Sequence, residues 1–516
     1  MSNRALTLRN TVFSSVGIYT EYALGMLAAI MIARHLGPEF YGVYGLFMWF
    51  VSVGMVITNS GITTGVIKFV AELRGSGQDE LIVPVVRRLR RVQRMHMLAA
   101  VGIGVVLYFS MGSRFPIPIK RLEFVLLLGA MVMRASYMFN IAVAKGFEAF
   151  DATAKVALVA APLNLAMVVI AMLMKGDIFL FVVVYAVSSV VFLAVSHVQA
   201  QRVMAMLPKL GALPAALVQR MRRHLRIVSA TVVISFLIAS DVEILFLNMY
   251  DSARSAGYFK VAYQLASGII LLVPGVFGAL LLPMMAKALS QGQAVAGRRF
   301  AMVTSYLVLL AVPVVTFGVC FAGPVIALLY GSSYAAAAPV FALLIFSGGV
   351  GTATQGASSL LISADRQQTI LILTIIFGLM KVILDVVLIR HFGLYGAVAA
   401  ILSGTLIGST AYVAIGVRVG GTGLQWGRLL RIILSGLGAA MVALPVLGLH
   451  LLPLWTLLLG GVLVSVTYLC LTLVLGCWSE DDIGQLQGLH LRFAGGHPRM
   501  LGQFLGWAGA RAARHP

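Results

Sequence analysis

A chain of 516 residues that is 60% hydrophobic and 11% charged, with a mean hydropathy of +0.99, is not a water-soluble globule. A soluble surface needs roughly 25% charged residues, so most of this one faces hydrocarbon. The net charge of +21 does not point to nucleic acid, because the basic residues sit in short segments between apolar runs, as a membrane topology requires.

Crossing a bilayer core takes about 20 helical residues. Apolar runs of that kind lie near residues 11–33, 41–66, 95–112, 122–143, 152–174 and 178–200. A second series follows near 227–248, 258–286, 301–321, 340–362, 369–390 and 394–416, and two more lie near 432–450 and 455–477. The first run follows Arg4 and Arg9 and has no small-residue cleavage site after it, so it reads as an uncleaved span. The expectation is an all-α polytopic membrane protein of about fourteen transmembrane helices. Its domains are a six-helix bundle over 1–226, a second over 227–418, two additional helices over 419–477 and a tail over 478–516.

The basic residues orient this array. With the N-terminus cytoplasmic, 28 Lys and Arg fall in cytoplasmic segments, seven in outer loops (Arg34, Arg114, Lys120, Arg121, Lys175, Arg254 and Arg390), and three inside spans. That asymmetry places both termini in the cytoplasm under the positive-inside rule. Two segments expected as cytoplasmic loops are strongly basic, one ending in Arg87, Arg88, Arg90, Arg91 and Arg94, the other in Arg220, Arg222, Arg223 and Arg226. They read as topology anchors, with contact to anionic headgroups as the functional alternative. The segment 322–339 has no charged residue and reads as a turn.

A shift of about 215 residues brings Gly42 at the start of span 2 onto Gly257 at the start of span 8, and Asp151 close to Asp365. Six spans per repeat is an even number, so the two bundles share one orientation, the arrangement of transporters that bind substrate between parallel halves and alternate access by rocking.

Four stretches carry a family resemblance. Ala33-Arg-His-Leu-Gly-Pro-Glu-Phe-Tyr-Gly-Val-Tyr-Gly-Leu opens span 2, and Ala256-Gly-Tyr-Phe-Lys-Val-Ala-Tyr-Gln-Leu opens span 8. Leu329-Tyr-Gly-Ser-Ser-Tyr leads into span 10, and His391-Phe-Gly-Leu-Tyr-Gly-Ala starts span 12. Together they resemble the polysaccharide transporters, the O-antigen-type flippases of the multidrug/oligosaccharidyl-lipid/polysaccharide exporter superfamily, over residues 5–420. Asp385 departs from the pattern, standing where those proteins usually carry Asn. The resemblance implies translocation of a lipid-linked oligosaccharide on a polyprenyl pyrophosphate across the bacterial inner membrane, coupled to an ion gradient. Membrane lipids and a polysaccharide polymerase or ligase are the implied partners. A multidrug or toxin cation antiporter of the same superfamily is the alternative.

An ionised group at mid-bilayer costs about 2.5–3.5 kcal/mol on insertion scales, so such residues face a cavity or a partner. Arg134, Lys381 and Lys260 are the candidates for binding a pyrophosphate, Arg as a planar fork and Lys as a point charge. Glu21, Asp241, Glu243 and Asp385 are the candidates for ion coupling. Mutual neutralisation, Glu21 with Arg134 and Lys381 with Asp385, is the structural alternative. Asn59, Asn140, Gln264 and Gln355 suit either sugar hydroxyls or interhelical hydrogen bonds. Cys320, Cys470 and Cys477 form no CxxC pair and stand in no His/Cys cluster, so no metal site, cofactor or catalytic centre is expected. No phosphate-cradling Gly-rich loop is present either.

Overall fold

The computed structural model describes residues 3–111, 119–205, 207, 213–239, 242–479 and a few positions of the tail. The described residues are helical, with no strand among them. Ten of the described helices are long and apolar enough to cross a membrane. Two of those are of double length, Tyr19–Asn59 with 41 residues and Gln367–Gly420 with 54. The chain divides into two compact units, residues 1–260 with 385–394, and residues 261–384 with 395–516.

The first unit contains α1 (Asn3–Asn59), α2 (Ile62–Gly75), α3 (Ile82–Met111), α4 (Arg121–Gly146), α5 (Phe150–Leu173), α6 (Ile178–Met204), α7 (Ala215–Ala239), α8 (Val242–Tyr250) and the start of α9 (Ala253–Ser290). In α1 the chain breaks at Gly37, with φ 75° and ψ 170°. A left-handed glycine ends one helix, and Pro38, lacking an N–H and pre-set in φ, starts the next. His35, just before the break, hydrogen-bonds through Nε2 to the Gly176 carbonyl at 2.9 Å. Asp177 then caps α6 by accepting the Leu180 N–H at 3.1 Å.

The basic segments are helical, where loops were expected. Arg87–Arg94 stand on the first turns of α3, and Arg220–Arg226 on those of α7. Ile82, Val85, Val86, Leu89 and Gln93 recur at helical spacing and are buried. They pack against Ile62, Val66, Phe69 and Leu73 of α2 and Phe139 and Val143 of α4. Burying that apolar stripe turns the remaining face, with most of the arginines, outward. Arg220 pairs with Glu72 and lies over the Phe69 ring. Arg90 instead points inward, over Phe139 at 3.9 Å, and donates to Asn140. We call this the basic end; helix α3, at 30 residues, carries the chain about 45 Å to the far end.

At the far end of this unit α1 and α9 touch backbone to backbone. A Cβ added at Gly42 would lie 1.8 Å from the Ala253 carbonyl oxygen, and one at Gly257 would lie 1.9 Å from that of Pro38. The glycine pair matched by the repeat is therefore a contact that admits no side chain. Asp251 accepts the Leu394 N–H at 2.9 Å beside a second break, at Gly393 with φ 54°.

The second unit holds the rest of α9, then α10 (Gln293–Cys320), α11 (Ala322–Tyr330), α12 (Ala337–Thr352), α13 (Thr354–Ser363), most of α14 (Gln367–Gly420), α15 (Trp426–Ala443) and α16 (Pro453–Val474). The stretch 322–339 is more than a turn: α11 and a 3₁₀ turn at Ser332–Tyr334 occupy it, with Ile326 and Tyr334 fully buried. Gly349 is packed so closely that a Cβ there would meet Val315 at 2.3 Å, the close approach that small residues permit between spans. The two additional helices join this unit by packing on α10. Their cluster includes Leu309, Phe321, Ile432, Ala439 and Val464, and Tyr468 donates to the Leu309 carbonyl at 2.8 Å.

After α16 the chain is pinned back to the unit. Asp482 accepts from Tyr306 Oη at 2.5 Å, from Ser479 Oγ at 2.6 Å and from the Ser479 N–H at 3.0 Å. Arg428 Nε holds the Cys477 carbonyl at 2.7 Å. Burial alone would raise the Asp482 carboxyl, but the Ser479 and Tyr306 hydrogen bonds and the Arg428 charge outweigh it and hold it below the usual carboxylate range.

Candidate functional site

In the first unit a basic side chain, Arg134, stands at mid-helix on the apolar span α4. Its surroundings come from one face of α6. Tyr185, Ser188, Ser189 and Phe192 recur there at helical spacing, so all four turn toward α4. Arg134 Nε donates to Ser189 Oγ and Arg134 Nη2 to Ser188 Oγ, both at 3.3 Å. The guanidinium lies 3.9 Å from the Phe192 ring centre and 5.3 Å from that of Tyr185. Tyr137, one turn along α4, is at 5.9 Å and meets Phe192 edge-on.

Tyr137 also carries the link to Glu21 on α1. Its hydroxyl donates to Glu21 Oε1 at 3.1 Å, with Oε2 at 3.3 Å. Glu21 and Arg134 thus belong to one cluster without forming an ion pair; a phenol stands between them. Among the described residues no carboxylate pairs with Arg134. A desolvated cation over an aromatic face gains about 2 kcal/mol, and each hydroxyl about 1 kcal/mol. Together these offset the cost of about 3 kcal/mol for placing Arg at the centre of a span. The cation is held in place without being neutralised, and part of its fork remains for an anion.

The other candidate residues are distributed. Glu243, on α8, is 1% exposed, and Lys260, on α9, is half-buried with its stem against Gly45 of α1, where Ile244 of α8 also approaches. Asp385 is fully buried on α14. Lys381, one turn earlier, is half-buried and belongs to the second unit. Asp241 lies outside the described residues. Among the described residues no group of three His, Cys, Asp or Glu is placed to hold a metal ion.

Asn59 and Asn140 are committed to the bundle. Gln93 donates to Asn59 Oδ1 at 2.7 Å and to the Ala135 carbonyl at 2.9 Å. Asn140 donates to Ser196 Oγ at 3.1 Å while accepting from Arg90. Interhelical hydrogen bonding is the use the structure makes of both. Tyr137 and the α6 face escaped the reading of charges alone, although the face is visible as the spacing 185, 188, 189, 192.

A search of curated proteins finds no match. Among solved structures, the lipid II flippase MurJ in an inward closed conformation is similar, with a TM-score of 0.65 at 14% identity, covering 90% of this chain and 98% of that one. An inward-facing multidrug resistance MATE family transporter of the MOP superfamily gives 0.58 at 15% identity, covering 80% and 98%. At these identities the likeness establishes the fold. A family model described as "Polysaccharide biosynthesis protein" matches residues 7–289, more than half of a chain whose intramembrane charge cluster lies wholly within the matched part. The chain is therefore a member of the polysaccharide biosynthesis protein family.

Proposed function

We propose that this protein flips a lipid-linked oligosaccharide across the bacterial inner membrane by alternating access, drawing energy from an ion gradient, with its basic end and both termini in the cytoplasm. The observation that carries this reading is Arg134, a guanidinium inside the membrane with aromatic and hydroxyl partners and, among the described residues, no carboxylate in ion-pair contact. A site for an amphipathic cation would need the opposite charge, which disfavours the antiporter alternative. The family match to polysaccharide biosynthesis supplies the substrate class, and the flippase fold supplies a precedent for moving a lipid carrier.

In this reading the pyrophosphate seats on the free edge of Arg134, and Lys381 and Lys260 supply further positive charge along its path. Glu21 takes up the coupling proton or cation. When ionised it accepts the Tyr137 hydroxyl. On neutralisation that hydrogen bond weakens, and the ring beside Arg134 gains freedom to turn. Asp241, Glu243 and Asp385 are the further candidates for the ion. The delivered product then passes to a polymerase or ligase.

The test is complementation of a polysaccharide-deficient strain by Arg134→Ala, Lys381→Ala and Glu21→Gln, with the leaflet in which the lipid-linked glycan accumulates as readout. Loss of export with glycan retained in the inner leaflet is expected. Full activity of all three at normal protein levels refutes the assignment.

A further inference from the structure

A second feature of the first unit has no part in that cluster. Between the second half of α1, α3 and α4 lies a cavity of about 140 Å³ whose walls are almost wholly apolar. Phe50, Ile57, Ala100, Leu127 and Met131 line its depth. Its far end is roofed by Tyr108, which stacks on Phe124 at 4.2 Å and donates to the Ile119 carbonyl at 3.2 Å. An apolar void of about 150 Å³ stays dry and admits a hydrocarbon of about six carbons. The cavity therefore suits an apolar occupant.

Two observations say where that occupant comes from. The wall includes Ile103 and Leu107 of α3, which are 50% and 41% exposed and continue a face formed by Leu98, Val106 and Phe109. A helix so apolar around its circumference faces hydrocarbon, so the mouth opens sideways into the bilayer. Beyond the roof, immediately after Ile119, stand Lys120 and Arg121, both exposed. Of the seven basic residues assigned to the far side from sequence, these two alone are adjacent in the chain, against the usual bias of that side. Glu123 forms no ion pair with either among the described residues. It is buried and accepts the Lys120 backbone N–H at 2.9 Å, capping α4.

We propose that the cavity binds one acyl chain of an anionic phospholipid from the far leaflet, with the lipid phosphate on Lys120 and Arg121. Two cations at a headgroup favour an anionic over a zwitterionic lipid by about thirtyfold, and the chain gives the site its depth. This assignment does not depend on what the protein transports.

Native mass spectrometry of the full-length protein in detergent tests it, with phosphatidylglycerol, phosphatidylcholine and a polyprenyl phosphate added in competition. Phosphatidylglycerol is expected to be retained about thirtyfold over phosphatidylcholine. That preference should vanish in Lys120→Gln/Arg121→Gln, and retention of either lipid should drop in Gly104→Leu. A side chain at Gly104 grows toward the flexible end of Leu128 and into the void. Ile103→Gln, at the exposed mouth, provides the same readout should Gly104→Leu fail to fold. Equal retention of the two phospholipids by the parent, or undiminished retention by a folded cavity variant, overturns the site. Displacement by the polyprenyl phosphate at equal concentration overturns the phospholipid assignment.

Discussion

Replacing Gly257 by alanine puts a methyl carbon 1.9 Å from the Pro38 carbonyl oxygen. Carbon and oxygen settle no closer than about 3.3 Å, so the start of α9 must retreat from α1 by about 1.4 Å, the difference of the two distances. Overpacking of this kind costs about 1–3 kcal/mol. A cost of about 2 kcal/mol lowers the ratio of joined to parted α1–α9 contact roughly thirtyfold. A cysteine at Gly45, one turn inward, reports on this, since a Cβ there has only ordinary contacts, 3.7 Å to Lys260. Alkylation of Gly45→Cys by a membrane-impermeant reagent, read by peptide mass so that Cys320, Cys470 and Cys477 do not interfere, should be slow in the parent. It should quicken by about thirtyfold with Gly257→Ala, and similarly with Gly42→Ala, whose methyl would lie 1.8 Å from the Ala253 oxygen. Gly25→Ala meets nothing within 4 Å and is the control. Equal alkylation rates for Gly257→Ala and Gly25→Ala would refute the idea that this contact shields Gly45.

Three further outcomes are expected. Tyr137→Phe removes the hydroxyl that Glu21 accepts while keeping the ring beside Arg134; complementation should fall about tenfold with thermal stability changed by no more than about 1 kcal/mol, and a large stability loss would make the tyrosine structural instead. Gln93→Leu strands Asn59 Oδ1 inside the bundle and leaves the Ala135 carbonyl only the longer bond from Asn59 Nδ2 at 3.3 Å, so unfolding in detergent should become easier by about 2 kcal/mol, and an unchanged melting temperature would contradict the network. Asp482 titrates below its usual range when folded, so its contribution is complete above the normal carboxylate pKa and is lost as pH falls through the lowered folded value. Protease sensitivity of the tail should therefore be constant near neutrality and rise in acid, and Asp482→Asn should remove that pH dependence.

The spans were legible because hydrocarbon imposes a composition that few other environments do. The breaks at Gly37 and Gly393 were legible as positions but not as conformations: the two spans on either side read as separate runs, whereas the chain makes each corner with a single left-handed glycine. The helical form of the basic segments was not legible, because five arginines in α3 drew attention from the stripe Ile82, Val85, Val86, Leu89 and Gln93 running beneath them. Arg134 and Glu21 stood out by cost alone, since a charge in a span needs a reason. Their relation did not, because a phenol from one helix and hydroxyls from another are tertiary facts, and the alternative of a direct pair between Glu21 and Arg134 is replaced by contact through Tyr137.

The buried chain of Arg90, Asn140 and Ser196, joined through Gln93 to Asn59 and the Ala135 carbonyl, draws on α1, α3, α4 and α6. Turning α3 or α4 about its own axis would break three of these links, and turning α1 or α6 would break one, in a medium with no water to replace them. Conformational change is thereby confined to movements that carry the four as a block. Sliding or twisting of individual spans near the basic end is the motion this protein has denied itself.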